Sequence, residues 1–471
     1  MLTYDVDIWS IRQRKGRPKP FELRWKVGAK PHSRSFKLKV QADGRRSELM
    51  AALRDRQQFD EESGLPASEL AALNTPTWYE HANTYALMKW PGAAAKQRAS
   101  IAEGLAVVTP ALVTNTRGAP DRKVLRRALY TWAFRGVTDE KDDVVCRLDI
   151  ESPPADVRSA LDWLAKNSLK VTALEEPDRL RPALEALSRK LDGNKAAENT
   201  VKRKLMVFSN ALRYAVEEKG YLTRNPLLRV DWSPPTTDDE VDFRYVPGPA
   251  LARRLLEAVK GRGQRGEHLE AFFGCIYYAA MRPGEIASLK DTDCRLPPDT
   301  EGSAEEWGEL LLEESRPEVG SGWTDDGESY EKRGLKRRAR RATRSVPAPP
   351  ALVRLLREHK RQFGTAPDGR LFRAARGGRI RSTEYCEVWS MARSEVLTAA
   401  EVESPLAEVP YSLRHAGVSL WIKAGVDPVE VARRAGHSIA VLYRFYAKIL
   451  HGAQTRSNQL IDKELSSDDD G

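Results

Sequence analysis

Hydrophobic and polar positions change period several times along this chain. Over residues 4–12 and 21–40 apolar side chains (Trp9, Ile11; Phe21, Leu23, Trp25, Val27; Phe36, Leu38, Val40) alternate with polar or basic ones, the period of a half-buried strand. Gly16-Arg17-Pro18-Lys19-Pro20 and Gly28-Ala29-Lys30-Pro31 supply the turns. From Ser47 to about Phe59 the spacing becomes helical through Leu49, Met50 and Leu53, so residues 1–65 are expected to form a three-stranded sheet followed by a helix.

Residues 75–232 read as helical. The longest stretch runs from Asn199 through Leu205, Phe208, Leu212 and Val216 and stops at Gly220, and Tyr221 to Pro226 reads as a terminating turn. Residues 233–240 combine proline, polar side chains and charge, which makes 233–245 a linker before Val246-Pro247 opens a new helical pattern. A strand-like insertion follows at Glu309-Leu310-Leu311-Leu312-Glu313, then a basic segment ending Ser345-Val346-Pro347, then helices to Leu465. The expected fold class is multidomain and mainly α with small β elements: a sheet-plus-helix domain at 1–65, a helical domain at 75–232, an α+β domain at 246–452 and a tail at 453–471.

Composition narrows the function. With 471 residues, 41% of them hydrophobic and 31% charged, each domain can bury its own core without disulfides or a structural metal. No apolar run approaches the ~18 residues of a membrane span, and Met1-Leu2-Thr3-Tyr4-Asp5 lacks the layout of a signal peptide, so a cytoplasmic protein is expected. Cys146, Cys275, Cys294 and Cys386 are scattered without metal-ligand spacing, which predicts reduced thiols, no zinc and no cofactor. The net charge of +10 is concentrated in two places. Residues 1–60 carry fifteen Lys and Arg against seven Asp and Glu, and eight of the thirteen residues from Lys332 to Arg344 are basic. Two basic blocks on a balanced chain suggest two contact surfaces for a polyanion, because neutralising phosphates releases counterions. Arg24, Lys26, Lys37 and Lys39 on the predicted sheet, and Lys332, Arg337 and Arg338 in the second block, are the candidate DNA contacts.

Four separated segments of the last domain hold groups suited to phosphoryl chemistry: Met281-Arg282-Pro283-Gly284-Glu285, the basic block around Lys336, Tyr411-Ser412-Leu413-Arg414-His415, and Gly436-His437-Ser438 with Tyr446 nine residues after the histidine. In this order the set resembles the tyrosine recombinase (phage integrase) family over roughly residues 246–452. The resemblance implies an arm-type DNA-binding domain at 1–65, a helical core-binding domain at 75–232 and a tyrosine recombinase catalytic domain. It also implies site-specific cleavage and rejoining of DNA through a 3′-phosphotyrosine, without metal or ATP, to integrate or excise a mobile element. Its partners would be double-stranded DNA attachment sites and further copies of the chain in a tetramer on DNA, with an excision factor or a host DNA-bending protein as optional partners. The two DNA-binding domains on either side of the linker would close as a clamp around the duplex, and the apolar spacing of Ile449, Leu450, Leu460, Ile461 and Leu465 suggests a tail helix that docks on a neighbouring protomer.

The chemistry of the residues agrees with these roles. A phosphodiester transition state spreads negative charge over nonbridging oxygens, which the planar guanidinium groups of Arg282 and Arg414 can grip. Tyr446 is the expected nucleophile, since nearby positive charge lowers the cost of a phenolate. Lys336, with Lys332 as runner-up, is implied as the acid that protonates the departing 5′-oxygen. His437 would donate to a phosphate oxygen or help settle the nucleophile, and Glu285 would buttress a guanidinium. Where the family most often has histidine three positions before the second arginine this chain has Tyr411, a weak proton acceptor. His415, one helical position after Arg414, is expected to point elsewhere than Arg414 and either to pack or to support the reacting groups from behind. Tyr443 is a rival nucleophile whose phenol is expected to be buried among Leu442 and Phe445. Two competing readings use the same residues: a helix-turn-helix regulator built on 427–444, and a recombinase fold that binds DNA without catalysis.

Overall fold

The computed structural model describes residues 1–235, 242–300, 305–334 and 343–451, with 458, 461, 462 and 465 beyond them. The chain divides into two compact units, Met1–Thr236 and Thr237–Gly471. In the first, strand Phe21–Val27 is the centre of a small antiparallel sheet. On one edge it pairs with Lys30–Phe36, Val27 opposite Lys30, through a two-residue turn in which Gly28 takes a φ of 55°. On the other edge Val6–Ile8 and Arg12–Gln13 share the same partner, so the first of the three expected strands is interrupted at residues 9–11. Leu23, Trp25 and Val27 alternate onto the inner face and pack with Leu49, Ala52 and Phe59.

The helix beneath this sheet begins at Lys39 rather than Ser47, and Leu38 and Val40, read above as strand positions, are exposed. Its buried stripe is Ala42, Arg45, Leu49 and Ala52. A small alanine and an arginine whose head pairs with Glu69 at 2.7 Å carry little apolar signal, which hid the first two turns. Arg24 and Lys26 share the outer sheet face, with the Arg24 guanidinium 5.1 Å from the centre of the Trp9 ring. Lys37 lies between sheet and helix, and Lys39 is the first helical residue.

After that helix Phe59–Asp60 pairs antiparallel with Leu2–Thr3, and the described elements that follow are helical apart from one hairpin. Thr77 and Glu80 form a reciprocal capping box at the start of Trp78–Lys89. The long helix Glu198–Glu217 buries Val201, Phe208, Leu212 and Ala215 and ends before Gly220. Residues 136–146 depart from the helical expectation: Gly136–Thr138 pairs antiparallel with Val144–Cys146, because β-branched Val137, Val144 and Val145 flank a polar turn in which Asp139 accepts from the Lys141 and Asp143 amides.

In the second unit helix Gly263–Tyr278 carries the core, with Phe272, Phe273 and Ile276 fully buried. Helices Pro249–Lys260, Pro350–Phe363 and Ser412–Lys423 pack on it. The last comes so close that a Cβ at Gly417 would stand 2.0 Å from the Tyr277 carbonyl oxygen. Gly308–Leu312 is the middle strand of an antiparallel sheet between Cys294–Arg295 and Arg344–Ala348, and Glu314–Ser315 pairs with Arg333–Gly334. A second apolar cluster joins Ala280, Val418, Trp421 and Val431 to Leu442 and Tyr446 of the helix Ile439–His451, with Phe243 and Val246 against it. Tyr443 is 50% exposed, not buried among its neighbours. The cluster takes the face of Leu442 and Tyr446, four residues apart, and Tyr443 lies about 100° round the helix from Leu442. Among the described residues no helix is long and apolar enough to cross a membrane.

Gly417→Ala is therefore expected to lower the thermal unfolding temperature in scanning calorimetry of the full chain, with an overpacking cost of about 1–3 kcal/mol. Gly44→Ala, on a helix face with nothing within 4 Å of the added carbon, should leave it unchanged or slightly raised.

Candidate active site

Four stretches of backbone meet in the second unit and bring most of the predicted groups together. After helix Gly263–Tyr278, Ala280 takes a left-handed φ of 44°, which costs a non-glycine residue about 1–2 kcal/mol and turns the chain sharply. Arg282 then sits at the start of the short helix Pro283–Ile286, where its own amide donates to Glu285 Oε2 at 2.9 Å. Its side chain donates from Nη1 to Glu285 Oε1 and from Nη2 to the Gly436 carbonyl, both at 2.9 Å.

The second stretch contributes a residue that sequence reading counted only as part of the basic block. Arg344 opens strand Arg344–Ala348, whose period of two buries 344, 346 and 348 together. Only 2% exposed, it donates from Nη1 and Nη2 to the two oxygens of Glu285 at 3.1 and 2.7 Å. Its inward register with Val346 and Ala348 is the signal that could have separated it from its solvated neighbours.

The third and fourth stretches face each other. Arg414, 1% exposed in helix Ser412–Lys423, donates from Nη2 to the Ala435 carbonyl at 2.6 Å and to His437 Nε2 at 2.8 Å. Gly436 closes helix Pro428–Ala435 in the left-handed region, φ 63°. A Cβ there would lie 2.1 Å from Arg344 Nη1 and 3.3 Å from Arg282 Nη1, so conformation and space both require glycine. Tyr446, 1% exposed, stands where helix Ile439–His451 departs from helical geometry (φ −122°, ψ 18°). Its hydroxyl lies 2.8 Å from His415 Nδ1, and its ring is 6.4 Å, centre to centre, from that of His437.

His415 points elsewhere than Arg414, as its place on the helix requires, and what it meets there is Tyr446. The helix aims it about 100° from Arg414, so Arg414 faces residues 435–437 and His415 faces Tyr446. Tyr411, at the start of the same helix, is 36% exposed and edge-on to His415 at 5.3 Å. Lys332 is exposed and pairs with Glu314 at 3.6 Å. Lys336, Arg337 and Arg338 lie outside the described residues.

Three guanidinium groups converge here, and the carboxylate paired with two of them is Glu285. Burial alone would raise the Glu285 pKa, but the Arg344 and Arg282 charges override it and hold the carboxyl at about 2. Burial and the Arg414 and Arg282 charges push His437 down to about 3, so this imidazole is neutral. Burial pushes the Tyr446 phenol up, with the Arg414 charge opposing in part. Arg414 Nη1, Arg344 Nε and His437 Nδ1 are buried without a hydrogen-bond partner among the described residues. A buried site with surplus positive charge and unused donors is built for an anion. Among the described residues no group of three or more His, Cys, Asp and Glu could hold a metal ion.

Comparison with known proteins gives structural likeness only. No protein-family model matches the chain, and no curated protein does. Among solved structures, a lambda integrase dimer bound to a COC′ core site is 12% identical, with 92% of this chain and 94% of that chain covered and a TM-score of 0.47. The Tn1549 transposon integrase in complex with a circular intermediate DNA is 14% identical over 67% of this chain and 96% of that one, TM-score 0.46. The XerH site-specific recombinase bound to a palindromic difH substrate is 11% identical over 77% and 96%, TM-score 0.43.

Glu285 makes stability depend on acid. Its folded pKa lies below the ordinary 4.5, so its contribution is present above that pH and is lost as pH falls toward about 2. Urea unfolding of the wild type should lose about 3 kcal/mol from this group across that window. In Glu285→Gln that part of the pH dependence should vanish, while stability at neutral pH falls by about 3–5 kcal/mol because the buried Arg344 and the partly buried Arg282 lose their charged partner.

Proposed function

We propose that this chain is a site-specific DNA recombinase of the tyrosine type. The observation that carries the reading is that Arg414 bonds His437, whose ring lies beside Tyr446, while Arg282 bonds the Gly436 carbonyl next to that histidine, with buried donors left without a partner among the described residues. Arg282 and Arg414 hold the nonbridging oxygens of a scissile phosphate, and Arg414 Nη1, buried with no partner among the described residues, is a further donor to them. His437 Nδ1, which carries the ring proton because Nε2 accepts from Arg414, adds a second donor. Glu285 and Arg344 fix the fork of Arg282 without touching DNA. Tyr446 attacks phosphorus and forms a 3′-phosphotyrosine, and the 5′-oxygen leaves as a hydroxyl protonated by Lys336 or Lys332. The bond energy is conserved, so a second 5′-hydroxyl can reverse the step on another strand without ATP.

The wider assembly belongs to the same proposal. Residues 1–65 serve as an arm-binding module through Arg24, Lys26, Lys37 and Lys39, residues 75–232 bind the core site, and residues 246–452 catalyse. Four copies act together on paired attachment sites in the cytoplasm, with an excision factor or a DNA-bending protein setting direction. The helix-turn-helix alternative has less support. The turn it would place in a groove has its Ala435 and Gly436 carbonyls occupied by Arg414 and Arg282, and the following helix buries Leu442 and Tyr446.

Covalent trapping tests the reading. In EDTA, with a nicked duplex that the full chain selects from a randomised pool, the wild type and Tyr443→Phe should form a protein–DNA adduct that survives a denaturing gel, and Tyr446→Phe should not. Arg414→Lys should form it on the order of 10²–10³-fold more slowly. Tight binding of that duplex with no adduct from the wild type would leave a DNA-binding protein without strand transfer.

A further inference from the structure

Resting on the strand-transfer reading, the geometry points to His415 as the general base that accepts the Tyr446 proton during attack. Its Nδ1 lies 2.8 Å from the Tyr446 hydroxyl, inside the range for direct proton transfer. The other neighbours are unsuited. His437 Nε2 already accepts from Arg414 Nη2 at 2.8 Å. Tyr411 is a phenol and a weak proton acceptor, and Arg414 stays protonated. The aromatic edge of Tyr411 packs on the His415 ring at 5.3 Å and limits its rotation. His415 lies four residues after Tyr411, one turn along the helix that Tyr411 begins, and it is His415 that reaches the nucleophile.

The charge states agree with this geometry. Burial, then the Arg414 charge, pushes His415 down to about 4, so the ring is neutral at neutral pH with a free lone pair for the phenol proton. Burial pushes the phenol up, so attack requires a base. A phosphate held by Arg282 and Arg414 brings negative charge beside the His415 ring and raises its proton affinity. The step balances. The Tyr446 O–H bond breaks as the Nδ1–H bond forms, the phenolate pair makes the O–P bond, and the P–O5′ pair leaves on the 5′-oxygen, protonated by the acid. On rejoining, Tyr446 leaves phosphorus and takes its proton back from His415.

The test uses the full chain and the selected nicked duplex, with single-turnover adduct formation as the readout. His415→Asn keeps a hydrogen-bonding group but no base, and should slow adduct formation on the order of 10²-fold while duplex retention is unchanged. His415→Gln provides a second variant if the first fails to bind the duplex. Replacing Tyr446 with a fluorotyrosine, a more acidic phenol, should recover most of the loss in the histidine variant and change the wild type little. A packing role would not be rescued this way. Equal rates in wild type and variant, or a loss that the fluorotyrosine leaves untouched, overturns the base assignment alone. No adduct from the wild type on a duplex it retains overturns strand transfer and this role together.

Discussion

The site depends on one carboxylate placed among three guanidinium groups. Glu285 is buried and meets Arg344 through both of its oxygens and Arg282 through side chain and backbone. A carboxylate alone at that depth would pick up a proton, and buried guanidinium groups with no counter-charge would force their way to water. Together they stay, and because the carboxylate matches only one of the three charges, the site keeps a surplus for a ligand. Arg344 is the structural half of the arrangement. By saturating Glu285 from the sheet side it leaves Arg282 a single orientation, with Nη2 on the Gly436 carbonyl.

The positions of these side chains are enforced by the backbone. Ala280 accepts a left-handed conformation to swing Arg282 inward, Gly436 removes the atom that would collide with two arginines, and Gly417 lets helix Ser412–Lys423 lie directly on the Tyr277 carbonyl. That last contact sets the depth of Arg414 and His415 together, since both ride on the same helix. The lining of the site thus takes its shape from the closest approaches in the core of the second unit, so a change far from Tyr446 can move the reacting groups by the distance of one steric contact.

What the sequence made legible follows from which signals are local. Strand alternation at 21–27 and the helix running to Gly220 are properties of neighbouring residues, and both were readable. The helix from Lys39 was hidden because its buried stripe starts with alanine and a paired arginine. Arg282, Glu285, Arg414, His437 and Tyr446 could be named because each motif is compact, yet their partners could not. Arg344 sat in a basic run with nothing but its register to mark it. For His415, spacing gave the direction along the helix correctly but not what stood there, because the helix carrying Tyr446 arrives from 31 residues away. Tyr443 and Tyr446 differ by less than one turn, and only the packed face of Leu442 tells them apart.

The division of charge among these groups says where the reaction would draw its energy. The histidines flanking Tyr446 are held neutral by burial and by the arginines, while the arginines cannot lose their protons. The site therefore keeps its positive charge as fixed guanidinium groups, with Arg414 Nη1 and His437 Nδ1 buried and unmatched among the described residues. Such donors cost free energy until an anion reaches them, and they repay most where negative charge is greatest. In phosphoryl transfer that point is the crowded, five-oxygen arrangement at phosphorus rather than the resting diester. Donors already in place need no reorganisation when it forms, so the energy spent in folding these arginines inward is returned as preferential stabilisation of the transition state.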